Sequence, residues 1–198
     1  MFTGIVEATG KINAIINDGS NKHFHIESPI SHELKVDQSV SHNGVCLTVT
    51  RVDCRTHWVT AVQETLLKSN LGSISQSQPL NLERCMKADG RFDGHIVQGH
   101  VDQIAVCEKV EDMNGSFVFR FSFKASASSL IVEKGSICVN GVSLTCFNVS
   151  KNSFDVAIIP YTFEHTNFKS LKVGDPVNLE FDIIGKYVRA MVGLMPNA

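Results

Sequence analysis

Hydrophobic and polar residues alternate in short runs along most of the chain, and turn formers separate the runs. His23-Phe24-His25-Ile26-Glu27 alternates with period two, Ser39-Val40-Ser41 leads into His42-Asn43-Gly44, and Val45 to Val52 is rich in Val and Thr, so each reads as a strand. Asn-Gly between two such runs is a strong hairpin signal, because both central positions of a tight turn take positive φ. Phe117-Val118-Phe119-Arg120-Phe121-Ser122-Phe123 places its phenylalanines on one strand face, and Ser136 to Phe147, Ser153 to Ile159 and Pro176 to Phe181 read as further strands. Ser31 to Leu34 and Ala127 to Leu130 read as short helices suited to plugging a barrel end. The period changes only in the tail, where Ile184, Val188, Met191 and Met195 recur at helical spacing. A helix this short is marginal alone, so its apolar face is expected to pack on another surface, most economically by self-association.

The pattern also repeats. Asn43-Gly44-Val45-Cys46-Leu47-Thr48 aligns with Asn140-Gly141-Val142-Ser143-Leu144-Thr145 (140 − 43 = 97), Thr65 falls on Thr162, Asn70 on Asn167, and Asn81-Leu82-Glu83 on Asn178-Leu179-Glu180. Near the start of each copy, Gly4-Ile5-Val6-Glu7 parallels Gly99-His100-Val101-Asp102 at a shift of 95 (99 − 4 = 95). One spacing kept through several elements indicates two tandem copies of one domain. Short strands at regular spacing within each copy predict an all-β fold of two similar closed barrels followed by a helix. Domains of roughly 90 residues have little interior for their surface, which again favours association.

Composition narrows the function. A net charge of −2 and a pI near 6.4 give no basic field for nucleic acid. The apolar runs fall well short of the ~20 residues a membrane span requires. Six cysteines without a CxxC pair, and no secretory start, point to reduced thiols in a cytoplasm. Neither GxGxxG nor GxxxxGK[ST] occurs. His95 and His100 do not suggest a metal, since no third ligand accompanies them and strand geometry would set them on opposite faces. The chemically informative difference between the copies is Cys46 in one and Ser143 in the other. A duplicated pocket with one thiol and one hydroxyl can hold two similar ligands in different roles.

Several segments together resemble the riboflavin synthase family of lumazine-binding proteins. They are Met1 to Glu7, Asn43 to Thr48, Gly94-His95-Ile96-Val97-Gln98-Gly99-His100-Val101-Asp102, Gly135 to Thr145, Ile159-Pro160-Tyr161-Thr162-Phe163-Glu164-His165-Thr166 and Asp182-Ile183-Ile184-Gly185-Lys186-Tyr187-Val188. The resemblance covers nearly the whole chain. It implies two tandem six-stranded Greek-key β-barrels, at residues 1–95 and 96–185, followed by a C-terminal α-helix at 186–198 that serves trimerisation. In such a homotrimer each barrel binds one 6,7-dimethyl-8-ribityllumazine, and the active site forms where the N-terminal barrel of one subunit meets the C-terminal barrel of another. The reaction is a dismutation in which one lumazine gives a four-carbon unit to its twin, yielding riboflavin and 5-amino-6-(ribitylamino)uracil. Because one substrate is oxidised as the other is reduced, no cofactor is expected. Association with lumazine synthase is a further implied partnership.

Carried over residue by residue, the resemblance makes Cys46, His100, Ser143 and Asp182 the catalytic candidates, with Cys46 or Ser143 helping to deliver a nucleophile and His100 acting as acid or base. A helix cap is the competing role for Asp182. The implied binding segments of the first barrel are Gly4-Ile5-Val6, Cys46-Leu47-Thr48, Thr60-Ala61-Val62-Gln63-Glu64-Thr65 and Gly99-His100-Val101. Those of the second are Lys134, Ser143-Leu144-Thr145 and Ala157-Ile158-Ile159-Pro160-Tyr161-Thr162. Strand-edge amides suit the uracil-like edge of a pteridine, and Thr48, Thr65, Thr145 and Thr162 suit ribityl hydroxyls. Asp93, Ala157 and Tyr161 depart from the family's usual residues. An antenna protein of the same fold, binding one lumazine or flavin without turnover, is the alternative; the presence of all four catalytic candidates favours the enzyme.

Overall fold

Two Asn-Gly turns mark corresponding corners of the fold. Asn43 and Gly44 have φ of 49° and 81°, and Asn140 and Gly141 have 47° and 80°, the left-handed pairs that close a two-residue hairpin. The protein is seen in a computed structural model that describes residues 1–125 and 130–192.

The first barrel comprises β1 (Ala8–Asp18), β2 (Asn21–Glu27), β3 (Ser39–His42), β4 (Val45–Asp53), β5 (Thr56–Ala61) and β6 (Pro79–Arg84), closed in the order β1-β2-β5-β4-β3-β6. The second comprises β7 (Gln103–Asp112), β8 (Phe117–Phe123), β9 (Ser136–Val139), β10 (Val142–Phe147), β11 (Ser153–Ile158) and β12 (Pro176–Phe181), in the same circular order. Strands β3, β4 and β5 follow as hairpins and β2 returns beside β5, a Greek key repeated in the second barrel.

Inward positions fill each interior. The first core is mostly aliphatic, with Ile12, Ile26, Val40, Val49, Val59 and Leu82 around Phe24; the second is built on Phe119, Phe121, Phe123, Phe154, Phe168 and Phe181. The expected helix at Ser31 to Leu34 is a single 3-10 turn, Ser31–Glu33, and most of Ala127 to Leu130 lies outside the described residues. Ile30 and Leu34 beside that turn are buried in the first core, and further filling comes after α1 (Gln63–Lys68) and α2 (Pro160–His165), where 3-10 turns at Asn70–Gly72 and Asn167–Ser170 insert Leu71 and Phe168.

The first core also holds a polar chain with no equivalent among the described residues of the second. His42 and His57 are fully buried with Nε2 atoms 3.0 Å apart, and His57 Nδ1 lies 2.8 Å from Ser31 Oγ, itself 3.0 Å from Ser28 Oγ. The matching positions 97 residues on are Val139 and Phe154.

A buried asparagine set joins the barrels with the symmetry of the repeat. Asn70 N donates to Asn178 Oδ1 at 2.6 Å and Asn167 N to Asn81 Oδ1 at 2.7 Å; Asn70 Nδ2 donates to Asn140 Oδ1 at 3.2 Å and Asn167 Nδ2 to Asn43 Oδ1 at 3.1 Å. Asn81 Nδ2 and Asn178 Nδ2 complete it on the carbonyls of Asn140 and Asn43. Such a closed network fixes one mutual orientation, since any other would strand buried amides.

Helix α3 (Ile183–Val192) follows β12, three residues ahead of the expected boundary; the expected positions 193–198, Met195 included, lie outside the described residues. Ile184, Tyr187, Val188 and Met191 are exposed along it.

Candidate active site

On β4, Val45, Leu47 and Val49 are buried, so Cys46 and Thr48 face out of the barrel. Cys46 and Thr48 pair with Ser41 and Ser39 on β3, but pairing of β4 to β5 begins only at Val49 with Val59. The barrel wall is therefore open between Cys46-Leu47-Thr48 and the strand end at Thr60-Ala61, which leads through Val62 into Gln63, Glu64 and Thr65 of α1. The second barrel repeats this opening. Ser143, Leu144 and Thr145 pair with β9, whereas β10 meets β11 only at Cys146 with Val156 and Phe147 with Asp155, leaving Ala157 and Ile158 across a gap. Ile159, Pro160 and Tyr161 continue its rim, all exposed, with Thr162 behind them. Unpaired strand edges offer amide N–H and C=O groups to a flat heterocycle.

The remaining wall of each opening comes from the other half of the chain. Ser143 N donates to Gly4 O at 2.8 Å, and Cys46 N donates to Gly99 O at 2.9 Å. Val6 packs on the second core and Val101 on the first. Gly4 and Val6, expected in the first barrel's pocket, thus lie against the second, whereas Ile5 lines a cavity with Gln38, Ser39 and Glu83 of the first; Gly99 and Val101 lie against the first. The physical cause is a two-residue bridge: Phe2 and Val97 exchange hydrogen bonds of 2.7 and 3.1 Å, and there the leading segments cross. Gly4 (φ 78°) and Gly99 (φ 81°) are required, since a Cβ on either would fall 2.7 Å from Ser143 Cβ or 2.5 Å from Cys46 Cβ.

Side-chain chemistry differs between the openings. His95 Nδ1 lies 2.6 Å from Ser143 Oγ, and His95 N is tied to Thr3 O at 3.1 Å. Burial lowers the imidazole's pKa below its ordinary value while the charge of Asp182 pulls it back. At neutral pH His95 is therefore neutral, and in the tautomer with hydrogen on Nε2 its Nδ1 accepts the Ser143 hydroxyl proton. His95 is not among the catalytic candidates that the resemblance carries over; a loop brings it to Ser143, since apart from the bridge at Val97 residues 93–102 form no strand, and the strand geometry expected for His95 and His100 is absent there. Asp182 also caps α3, accepting from Ile184 N at 2.9 Å, so the helix-cap role is present while its charge acts on His95.

Cys46 is half-buried. Burial raises its thiol's pKa, the Ser39 hydroxyl works against this, and Cys85 and Glu180 push it up further, so the group is a thiol at neutral pH. His100 has an exposed side chain and a backbone N–H held by Glu180 at 2.9 Å. Lys134 is exposed at φ 63°, with Nζ 5.3 Å from the Phe147 ring centre. Of the residues departing from the family pattern, Tyr161 stacks on His165 and Asp93 pairs with Arg91 at the surface. Among the described residues no group of His, Cys, Asp or Glu is placed to hold a metal ion, and no helix is long and apolar enough to cross a membrane.

The lumazine binding domain family matches residues 3–85 and 98–182. The fold matches the crystal structure of LumP complexed with 6,7-dimethyl-8-(1'-D-ribityl) lumazine, with TM-score 0.83 and 19% identity over 91% of this chain and 99% of that one. More similar in sequence are the riboflavin synthases of Actinobacillus pleuropneumoniae (40% identical, covering 95% of this chain and 88% of that protein) and Schizosaccharomyces pombe (38%, covering 97% and 94%). The chain belongs to the riboflavin synthase family of lumazine-binding proteins and is an enzyme of riboflavin biosynthesis.

Proposed function

We propose that the chain dismutates two molecules of 6,7-dimethyl-8-ribityllumazine to riboflavin and 5-amino-6-(ribitylamino)uracil. The observation that carries this reading is the pair of equivalent wall openings, one bearing Cys46 and the other Ser143 with His95. Like openings suit like ligands, and unlike side chains give the two copies different tasks. The four carbons lost by one ring are gained by the other, so electrons balance without an added oxidant. Proton movements fall to the Ser143–His95 pair, where a neutral imidazole accepts from the hydroxyl, with Asp182 close enough to stabilise the cation formed. Cys46 serves as a neutral thiol that donates a hydrogen bond. His100, exposed beside the first opening, is a second acid–base group for the paired substrate.

Holding both rings in register supplies a large part of the acceleration, roughly 7 to 11 kcal/mol in favourable cases. Ring-to-ring contact requires the first opening of one subunit to face the second opening of another. The exposed apolar residues of α3 support assembly into a homotrimer, because such a face is costly to leave in water. Incubation with 6,7-dimethyl-8-ribityllumazine alone tests the reading: riboflavin and the pyrimidine should appear in equal amounts, one of each for two lumazines consumed. Tight binding of lumazine without conversion would overturn it in favour of the antenna role.

A further inference from the structure

We propose that Glu83 and Glu180 are crossed positioning residues: each is rooted in one barrel and holds the backbone wall of the other barrel's opening. The two occupy the same place in β6 and β12 (180 − 83 = 97) and are almost wholly buried, at 5% and 2% exposure. A carboxylate in such a place is costly unless hydrogen-bonded. Glu83 Oε1 accepts from Thr3 N at 2.7 Å and Thr3 Oγ1 at 3.1 Å, and its Oε2 from Gly4 N at 3.0 Å. Glu180 Oε1 accepts from Gln98 N at 2.6 Å, and its Oε2 from Gly99 N and His100 N, both at 2.9 Å.

The glycine in each gripped segment turns its carbonyl to the opposite barrel. Gly4 O receives Ser143 N, and Gly99 O receives Cys46 N. Glu83 of the first barrel therefore sets the wall behind Ser143 in the second, and Glu180 of the second sets the wall behind Cys46 in the first. Consecutive amides aimed at one carboxylate make this a pre-organised clamp, since glutamine would turn an NH2 group towards an N–H. The consequence for turnover rests on the proposed dismutation, whereas the crossing itself is a matter of geometry.

Amide hydrogen exchange in the full-length protein, read by NMR at Ser143 and Cys46, tests it. In Glu83→Gln the Ser143 amide should exchange at least about tenfold faster while that of Cys46 stays within about twofold; in Glu180→Gln the pattern should reverse. A merely structural role would speed both amides together. That result, no change at either amide, or a faster amide in the barrel that carries the substitution would each overturn the proposal. Glu83→Asp and Glu180→Asp, which withdraw the carboxylate by one methylene, serve the same test if the glutamine variants do not fold. Each glutamine variant should also lose at least about tenfold in kcat, and its urea midpoint should fall because buried N–H groups lose an acceptor, so the crossed exchange pattern and not stability distinguishes the clamp. A wild-type protein that turned over no lumazine would refute the dismutation and leave the exchange result standing.

Discussion

Acid should destabilise the first barrel in particular, because its buried histidine pair has no place for a second proton. His42 Nδ1 lies 3.0 Å from the Val40 carbonyl and so must carry hydrogen, which makes the neutral ring's Nε2 an acceptor. His57 Nε2, at 3.0 Å, must then donate, and its Nδ1 accepts from Ser31 Oγ, which receives the Ser28 hydroxyl. Protonating His42 would set two N–H groups head to head. Protonating His57 requires only that the serine hydroxyls rotate, but it puts a charge where water cannot reach. Burial, aided by the charge of His25, accordingly takes His57 from 6.5 to about 4; burial and the charge of His57 take His42 down as well.

Above pH 6.5 neither folded nor unfolded chain binds this proton. Between 6.5 and about 4 the unfolded chain binds it and the folded one does not, so stability falls as pH falls, and the His57 contribution levels off below about 4. At about 1.4 kcal/mol per pH unit the full loss from His57 is about 3 kcal/mol, of which about 2.5 is reached by pH 4.5. The comparison protein is His42→Val/His57→Phe, which borrows the Val139 and Phe154 pair of the second barrel. Urea unfolding at about pH 7.5 and about pH 4.5 should show wild type losing at least about 2.5 kcal/mol more than the double variant, because other titrating groups cancel in the difference. Equal losses, within about 0.5 kcal/mol, would refute the reasoning.

Three further outcomes are expected. Ser143→Ala should lower kcat about a hundredfold or more with little change in the thermal midpoint, and steady-state kinetics that show full turnover would remove the Ser143–His95 pair from the mechanism. Gly99→Ala should cost about 2 kcal/mol or more in urea unfolding, since it combines a left-handed φ with a Cβ pressed on Cys46; a neutral substitution would mean that the segment has another conformation available. Asn70→Ala and Asn167→Ala should each cost about 1 to 3 kcal/mol in urea unfolding, and by like amounts, because each takes one of two hydrogen bonds from equivalent buried groups, Asn140 Oδ1 and Asn178 Nδ2 in the first case and Asn43 Oδ1 and Asn81 Nδ2 in the second; losses differing by more than about 1.5 kcal/mol would contradict the symmetry of the network.

Elements whose signal is local were legible in the chain. The alternating phenylalanines of β8, both Asn-Gly turns and the helical spacing of α3 each need only a few neighbouring residues to declare themselves. Strands β1 and β7 were less legible: each contains a bulge, between Ile12 and Ala14 in one and between Cys107 and Lys109 in the other, whereas the bulge of β4 comes after Val49 and leaves the alternation from Val45 to Val49 intact. An extra residue inside β1 or β7 shifts the phase of alternation and erases the period-two pattern. Within the site, Cys46 and Ser143 could be picked out as the place where otherwise matching copies differ. His95 could not, because its partner lies 48 residues away and a loop, not a strand, aims it. The asparagine set occupies an intermediate position: its repeat positions were visible, its purpose was not.

The sequence by itself determined that there are two like barrels with like openings, since duplication and short-range patterning are written in residue order. Which half of the chain walls which opening was decided only in three dimensions. Gly4 and Gly99 lie near the start of their own copies, and nothing in their neighbours says that each will face the other copy's strand. That follows from the Phe2–Val97 bridge and the carboxylates of Glu83 and Glu180, long-range contacts that exist only when both barrels have closed and docked.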